Sequence, residues 1–152
     1  MSWLSTTTLV RKIKRNADDV TRNAFEGVYS MDQLPKTISH YPFLMIINTH
    51  SHNLPGEHWI SVFINKQREA EVFDSLAMPM SITLMRWLNR HSRRWKRNDR
   101  RYQNPFSSTC GAFVLFYALQ RSRSSFQCVI NLFKNSYHDN ERIVDAFYQR
   151  LK

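Results

Sequence analysis

Four residues of this chain have the types and the order that thiol chemistry requires. Cys110 lies in NPFSSTCGAFVLFYALQ, between a polar turn and the eight apolar residues Ala112 to Leu119. His58 opens HWISVFIN, Asp74 stands near the end of AEVFDS, and Gln103 precedes Cys110 by seven residues. A cysteine at a helix N-terminus sits against unpaired backbone N–H groups and the positive end of the helix dipole. Both stabilise a thiolate and bring the thiol below its ordinary pKa of about 8.5. An imidazole within reach takes the thiol proton and later returns it to a leaving amine. A carboxylate can hold that imidazole in one tautomer, and neighbouring strands, about 4.8 Å apart, can share such a site. The amide of Gln103, with the backbone N–H of Cys110, can form an oxyanion hole. Gly111 lets the chain approach closely just after the nucleophile.

Taken singly, each residue has a plainer reading. A cysteine beside an apolar run is usually a core residue, and an aspartate ending a strand is usually turn chemistry. The ordered set His, Asp, Gln, Cys-Gly on matching elements is what points to a nucleophile.

The elements that would position these groups read as α+β. TTTLVRKIKRNADDVTRNAF has a helical period, with Leu9, Val10, Ile13 and Val20 on one side. YPFLMIIN (41–48), HWISVFIN (58–65) and AEVFDS (70–75) are strand-like, with HSHNLPGE as a turn between the first two. In the second of these, Trp59, Ser61 and Phe63 share one face and His58, Ile60, Val62 and Ile64 the other. From Met80 to about Arg97, Leu84, Leu88, His91 and Trp95 follow helical spacing. Ser107, Ser108 or Thr109 caps a helix that continues through Leu119, apolar all round and therefore central. Helices are expected at 125–134 and 139–151, the last capped by Asp139 or Asn140 with a stripe of Ile143, Phe147 and Leu151. The expected architecture is a small mixed sheet packed against a buried central helix carrying Cys110, with outer helices, in a single domain over 1–152.

Composition narrows the function classes. The 42% hydrophobic and 13% aromatic content suits a packed core. No apolar run reaches the roughly 18 to 20 residues of a bilayer span, so no membrane partner is expected. The N-terminal stretch turns polar at once, unlike a secretory signal, and two cysteines without one fit free thiols in a reducing compartment. The net charge is +10, and it is concentrated: Arg86, Arg90, Arg93, Arg94, Lys96, Arg97, Arg100 and Arg101 lie within sixteen residues that hold one acid, Asp99. Such a cluster attracts polyanions without reading sequence, so these eight are candidate nucleic-acid contacts; the plainer alternative is a solvated face.

The same segments resemble the adenovirus-type cysteine endopeptidases, the adenains. GVYSMDQLP is similar to that family's early Gly-x-Tyr turn, and LMIINTHSHNLPGEHWISVFIN to its strand–turn–His-Trp–strand segment. AEVFDSLA resembles the strand bearing the triad acid, and YQNPFSSTCGAFVLFY the Gln and Cys-Gly block. The order His, acid, Gln, Cys is shared with ubiquitin-like-protein proteases of the SUMO-deconjugating type. The resemblance implies His58 as general base, Asp74 as orienting acid, Gln103 as oxyanion donor and Cys110 as nucleophile, with Trp59 and Gly111 beside the substrate. It further implies viral precursor proteins cut at small, glycine-containing sites, a monomer acting in the virion and host nucleus, and DNA and a short viral peptide as activators. Three features depart from the adenovirus pattern. Asp74 stands in place of Glu, the segment between the acid and Gln103 is shorter, and 86–101 lacks the cysteine through which the adenovirus enzyme joins its peptide.

Two other readings compete. A protease for ubiquitin-like modifiers shares the catalytic order and favours Asp at position 74. A non-enzymatic nucleic-acid-binding domain would make Cys110 a core residue. A zinc site at His50, His52 and His58 lacks convincing further ligands, so no metal is expected.

Overall fold

The computed structural model describes residues 4–49, 58–121 and 123–152; the turn expected at 50–57, with His50 and His52, lies outside them. Two helices open the described chain, α1 (Thr6–Asn16) and α2 (Asp19–Ala24). Strands β1 (Phe25–Ser30), β2 (Phe43–Asn48), β3 (Trp59–Ile64) and β4 (Glu69–Phe73) follow. Next come α3 (Ile82–His91), β5 (Arg94–Arg97), α4 (Cys110–Arg121), α5 (Phe126–Ile130) and α6 (Tyr137–Gln149). The sheet is mixed, in the order β1-β2-β3-β4-β5. The outer pairs β1–β2 and β4–β5 are parallel and the inner pairs antiparallel. This is the expected α+β class.

Strand β2 is nearly all apolar because both faces of the sheet are covered. On one face Phe43, Met45 and Ile47 join Ile60, Val62, Ile64 and Val72 beneath Leu84, Trp87 and Leu88 of α3. On the other, Ile46 and Trp59 pack against Cys110, Val114, Leu115 and Leu119 of α4, with Leu9 and Ile13 of α1 closing the far side. The alternation read from HWISVFIN is therefore real, but neither face is open. Every residue of α4 from Cys110 to Leu119 is buried, which explains why the helix shows no polar stripe. Its C-terminal end is tied to the sheet by an ion pair with the buried Glu71. Arg121 Nε donates to Glu71 Oε1 at 2.7 Å and its NH2 group to Oε2 at 3.0 Å, while Tyr117 Oη donates to Oε1 at 2.9 Å.

Several expectations need correction. The N-terminal helix is two helices, the first capped at its start by Ser5 and at its end by Ala17, the second capped by Asp18; Val20 is exposed and only Leu9 and Ile13 of the expected stripe are fully buried. GVYS is the edge strand β1, bulged between Phe25 and Gly27, where Gly27 takes a φ of 144° that other residues rarely adopt. The helix expected over 80–97 ends at His91, and Arg94–Arg97 forms β5. Leu88, His91 and Trp95 fit a helical period, but Arg-Trp-Lys-Arg also fits a period of two. The backbone of β4 decides between them, pairing Ala70 with Trp95 and Val72 with Arg97. Ser136, not Asp139 or Asn140, caps α6. Asn140 is buried instead, accepting from Lys134 N and donating to the carbonyls of Tyr102 and Lys134.

Candidate active site

The site gathers at one end of the sheet, where β3 begins and β4 and β5 end. His58 immediately precedes β3, its backbone carbonyl held by Thr49 N at 3.0 Å. Its ring is buried, and Nε2 meets Asp74 Oδ1 at 2.6 Å. The other ring nitrogen, Nδ1, is buried with no nitrogen or oxygen partner among the described residues. Cys110, the first residue of α4, acts on the same imidazole. Burial disfavours the charged ring, but the hydrogen bonds and charges of Asp74 and Cys110 outweigh it and raise His58 to about 9.

Asp74 is held from several sides. Oδ1 also accepts from Leu76 N at 2.9 Å, and Oδ2 accepts from Met78 N at 3.1 Å. Burial pushes its pKa up, yet the bond to His58, that ring's charge and the two backbone donors win, so it lies below the ordinary carboxylate value. Asn98 brackets its backbone: Oδ1 accepts from Asp74 N at 2.9 Å while Nδ2 donates to Asp74 O at 2.7 Å. Residue type alone carried no signal for Asn98, because it acts on backbone groups that become neighbours only through β4–β5 pairing.

Gln103 is buried, and Ser75 Oγ donates to its Oε1 at 2.6 Å, which fixes which end of the amide is the donor. Its Nε2 donates to Ser107 O at 3.1 Å and to Ser107 Oγ at 3.3 Å. The amide thus faces the loop that leads into Cys110. Beside His58 and Asp74 opens a cleft of about 390 Å³, walled by Met31, Ile60, Met78 and Met80 and reaching Pro105 and Ser107 of that loop. Phe106, between them, is 97% exposed.

The remaining candidates are dispersed. Trp59 is buried in the core against α4, its Nε1 without a partner among the described residues. Gly111 faces the N-terminal segment: a Cβ there would lie 2.9 Å from Leu4 Cβ, so close packing of Leu4 accounts for this glycine. Of the basic residues, Arg97 is turned inward, donating to Met78 O at 2.8 Å and standing 3.9 Å from Asp74 Oδ2. Arg94 pairs with Glu69, and Lys96 lies over the Phe126 ring. Arg86, Arg90, Arg93, Arg100 and Arg101 are exposed. The run therefore divides between α3, β5 and the following loop rather than lining one helix. Cys128 is exposed, and neither cysteine is in a disulfide. Among the described residues no group of three His, Cys, Asp or Glu could hold a metal ion, and no helix is long and apolar enough to cross a membrane.

A profile for the Ulp1 protease family, C-terminal catalytic domain, matches residues 36–145. The chain belongs to the Ulp1 protease family. The matched region runs from before β2 into α6 and contains His58, Asp74, Gln103 and Cys110. Solved structures agree at the level of fold. The crystal structure of the ASFV pS273R protease superposes with a TM-score of 0.57 at 17% identity, covering 85% of this chain and 61% of that one. This Ulp1-family chain thus spans about three fifths of that protein's length. The central domain of the uncharacterized Lpg1148 protein from Legionella pneumophila gives 0.53 at 12% identity, covering 96% and 99%. Comparison with curated proteins gives no match.

Proposed function

We propose that the chain is a cysteine endopeptidase in which Cys110 is the nucleophile, His58 the general base and acid, Asp74 the orienting acid and Gln103 an oxyanion donor. The observation that carries this reading is the buried His58–Asp74 contact of 2.6 Å, on an imidazole that also interacts with a thiol opening a buried helix. Cys110 Sγ attacks the scissile carbonyl carbon as His58 holds the thiol proton. His58 then gives that proton to the leaving amine as the C–N bond breaks, and a water delivered by the same imidazole hydrolyses the thioester. The negative oxygen formed in each step is met by the Cys110 backbone N–H and by Gln103 Nε2. Nε2 releases for it the longer of its two bonds, that to Ser107 Oγ at 3.3 Å.

For the substrate, we place viral precursor proteins cut at small, glycine-containing sites during virion maturation, on DNA held by the exposed arginines. The fold shared with a viral protease and the net charge of +10 support this. Family membership favours one second reading, the processing of ubiquitin-like modifiers. Replacing Cys110 by Ala is expected to abolish cleavage of glycine-containing peptides; retained activity removes the mechanism. Side by side, a linear Gly-containing peptide and a modifier bearing a C-terminal Gly-Gly adduct decide between the substrates. Much faster cleavage of the adduct selects the second reading.

A further inference from the structure

The loop joining Gln103 to Cys110 is gripped from outside by one side chain that the proposed mechanism does not use. Glu141, on α6, turns both carboxylate oxygens onto it. Oε1 accepts from Ser107 Oγ at 2.7 Å and from the backbone N–H of Asn104 at 3.3 Å. Oε2 accepts from Thr109 Oγ1 at 2.6 Å. These bonds reach both halves of the site. Thr109 directly precedes Cys110, and its carbonyl accepts from Phe113 N at 3.1 Å in the first turn of α4. Ser107 receives the amide of Gln103, whose other end is held by Ser75.

The direction of donation is set by the last member. An ionised carboxylate only accepts, so the Ser107 hydroxyl must donate to Glu141 and keeps its lone pairs for Gln103 Nε2. Donors therefore run from Ser75 to Gln103, to Ser107, to Glu141, each link polarising the next. A charged acceptor makes the terminal bonds short and strong. With Glu141 removed, Ser107 and Thr109 are free to pair with each other, across the 2.8 Å that already separates their oxygens, and Asn104 N loses its acceptor. We infer that Glu141 is a positioning residue: it fixes residues 104–109 so that the Cys110 thiol and the Gln103 amide converge on one substrate carbonyl. The inference rests on the reading of Cys110 as the nucleophile.

The test compares Glu141→Gln and Glu141→Ala with wild type in the full chain, each checked for native circular dichroism. The first readout needs no known substrate: the iodoacetamide labelling rate of Cys110 relative to Cys128, read by mass spectrometry, with exposed Cys128 as internal standard. The ratio is expected to fall by about fivefold or more in Glu141→Ala and by less in Glu141→Gln, which keeps one acceptor. The second is a kinetic split on a peptide the wild type cleaves. There kcat should fall about 10- to 100-fold, short of losing an oxyanion donor outright, while KM stays within about threefold. Adding Ser107→Ala to Glu141→Ala should cost little more, because both act through one relay. A wild-type labelling ratio and kcat in both Glu141 variants would overturn the inference, even if their melting temperatures were lower. Should Glu141→Ala fail to fold, Glu141→Gln and Ser107→Ala carry the same comparison. If His58→Ala leaves Cys110 labelling unchanged, the nucleophile reading fails on its own account, and Glu141 loses its role with it.

Discussion

Two opposing forces act on the imidazole of His58. Burial disfavours its cation, while the carboxylate on Nε2 and the neighbouring thiol stabilise it, and the second pair wins to place it at about 9 against an ordinary 6.5. The sign for stability follows directly. A folded pKa above the unfolded one stabilises fully below about pH 6.5, and that contribution is lost as pH rises through about 9. Asp74 is shifted the other way, so its contribution is present above the ordinary 3.8 and is lost as pH falls below it. Urea unfolding at a series of pH values should therefore show wild type losing about 3 kcal/mol between pH 6.5 and pH 9.5, relative to a His58→Gln variant that cannot titrate. Subtracting the variant's curve removes the titrating groups that do not touch the imidazole. A wild-type curve parallel to the variant's across that range would mean that the imidazole is not held charged.

Helix α4 aims Cys110 because it is anchored at both ends, by Glu71 at its C-terminus and by the Glu141-held loop at its start. Between those anchors it is surrounded by core. That much was legible: an all-apolar run beginning at Cys-Gly has to be buried, and a buried helix has to start at the surface end carrying its polar loop. Strands β2, β3 and β4 were legible for the same reason, as apolar periods with turns between them. Edge elements were not. Residues Arg94–Arg97 satisfy two periods at once, and only the free backbone of β4 makes them a strand. That pairing also brings Asn98 onto Asp74, so missing the strand meant missing the residue that holds the acid's backbone. Asn98→Ala strands the buried N–H of Asp74, worth about 1 to 3 kcal/mol, while Asp74 O keeps its bond from Ala77 N at 2.9 Å. Chemical denaturation should show a loss of roughly 1 to 3 kcal/mol, partly returned by Asn98→Asp, which keeps the acceptor for Asp74 N. A loss under about 0.5 kcal/mol would show that water replaces the lost partner of Asp74 N.

Across the whole molecule the positive charge is distributed unevenly. Some of it is structural: Arg121 is paired with the buried Glu71, Arg94 is matched by Glu69, and Arg97 is folded toward Asp74 and Met78. Some lies on the opposite, N-terminal side, in Arg11, Lys14 and Arg15 of α1. The other arginines of the 86–101 run, Arg86, Arg90, Arg93, Arg100 and Arg101, are exposed, and of these Arg100 also donates to Asn135 Oδ1 and Arg101 to Leu76 O. If DNA contacts these arginines, each phosphate contacted adds about −0.9 to the slope of log affinity against log salt, so five contacts would give about −4 to −5. Fluorescence anisotropy with a short duplex between 50 and 200 mM salt, concentrations chosen from the range where counterion release is read, measures it. Arg86→Glu with Arg90→Glu should weaken binding to all sequences alike and flatten the slope by about 2. Arg97→Ala should leave affinity and slope as they are, because its half-buried guanidinium is turned toward Met78 O and Asp74 Oδ2. Equal affinity at both salt concentrations would remove DNA from the proposal and leave the arginines as a solvated face; a loss of affinity in Arg97→Ala would place the duplex across the mouth of the cleft instead.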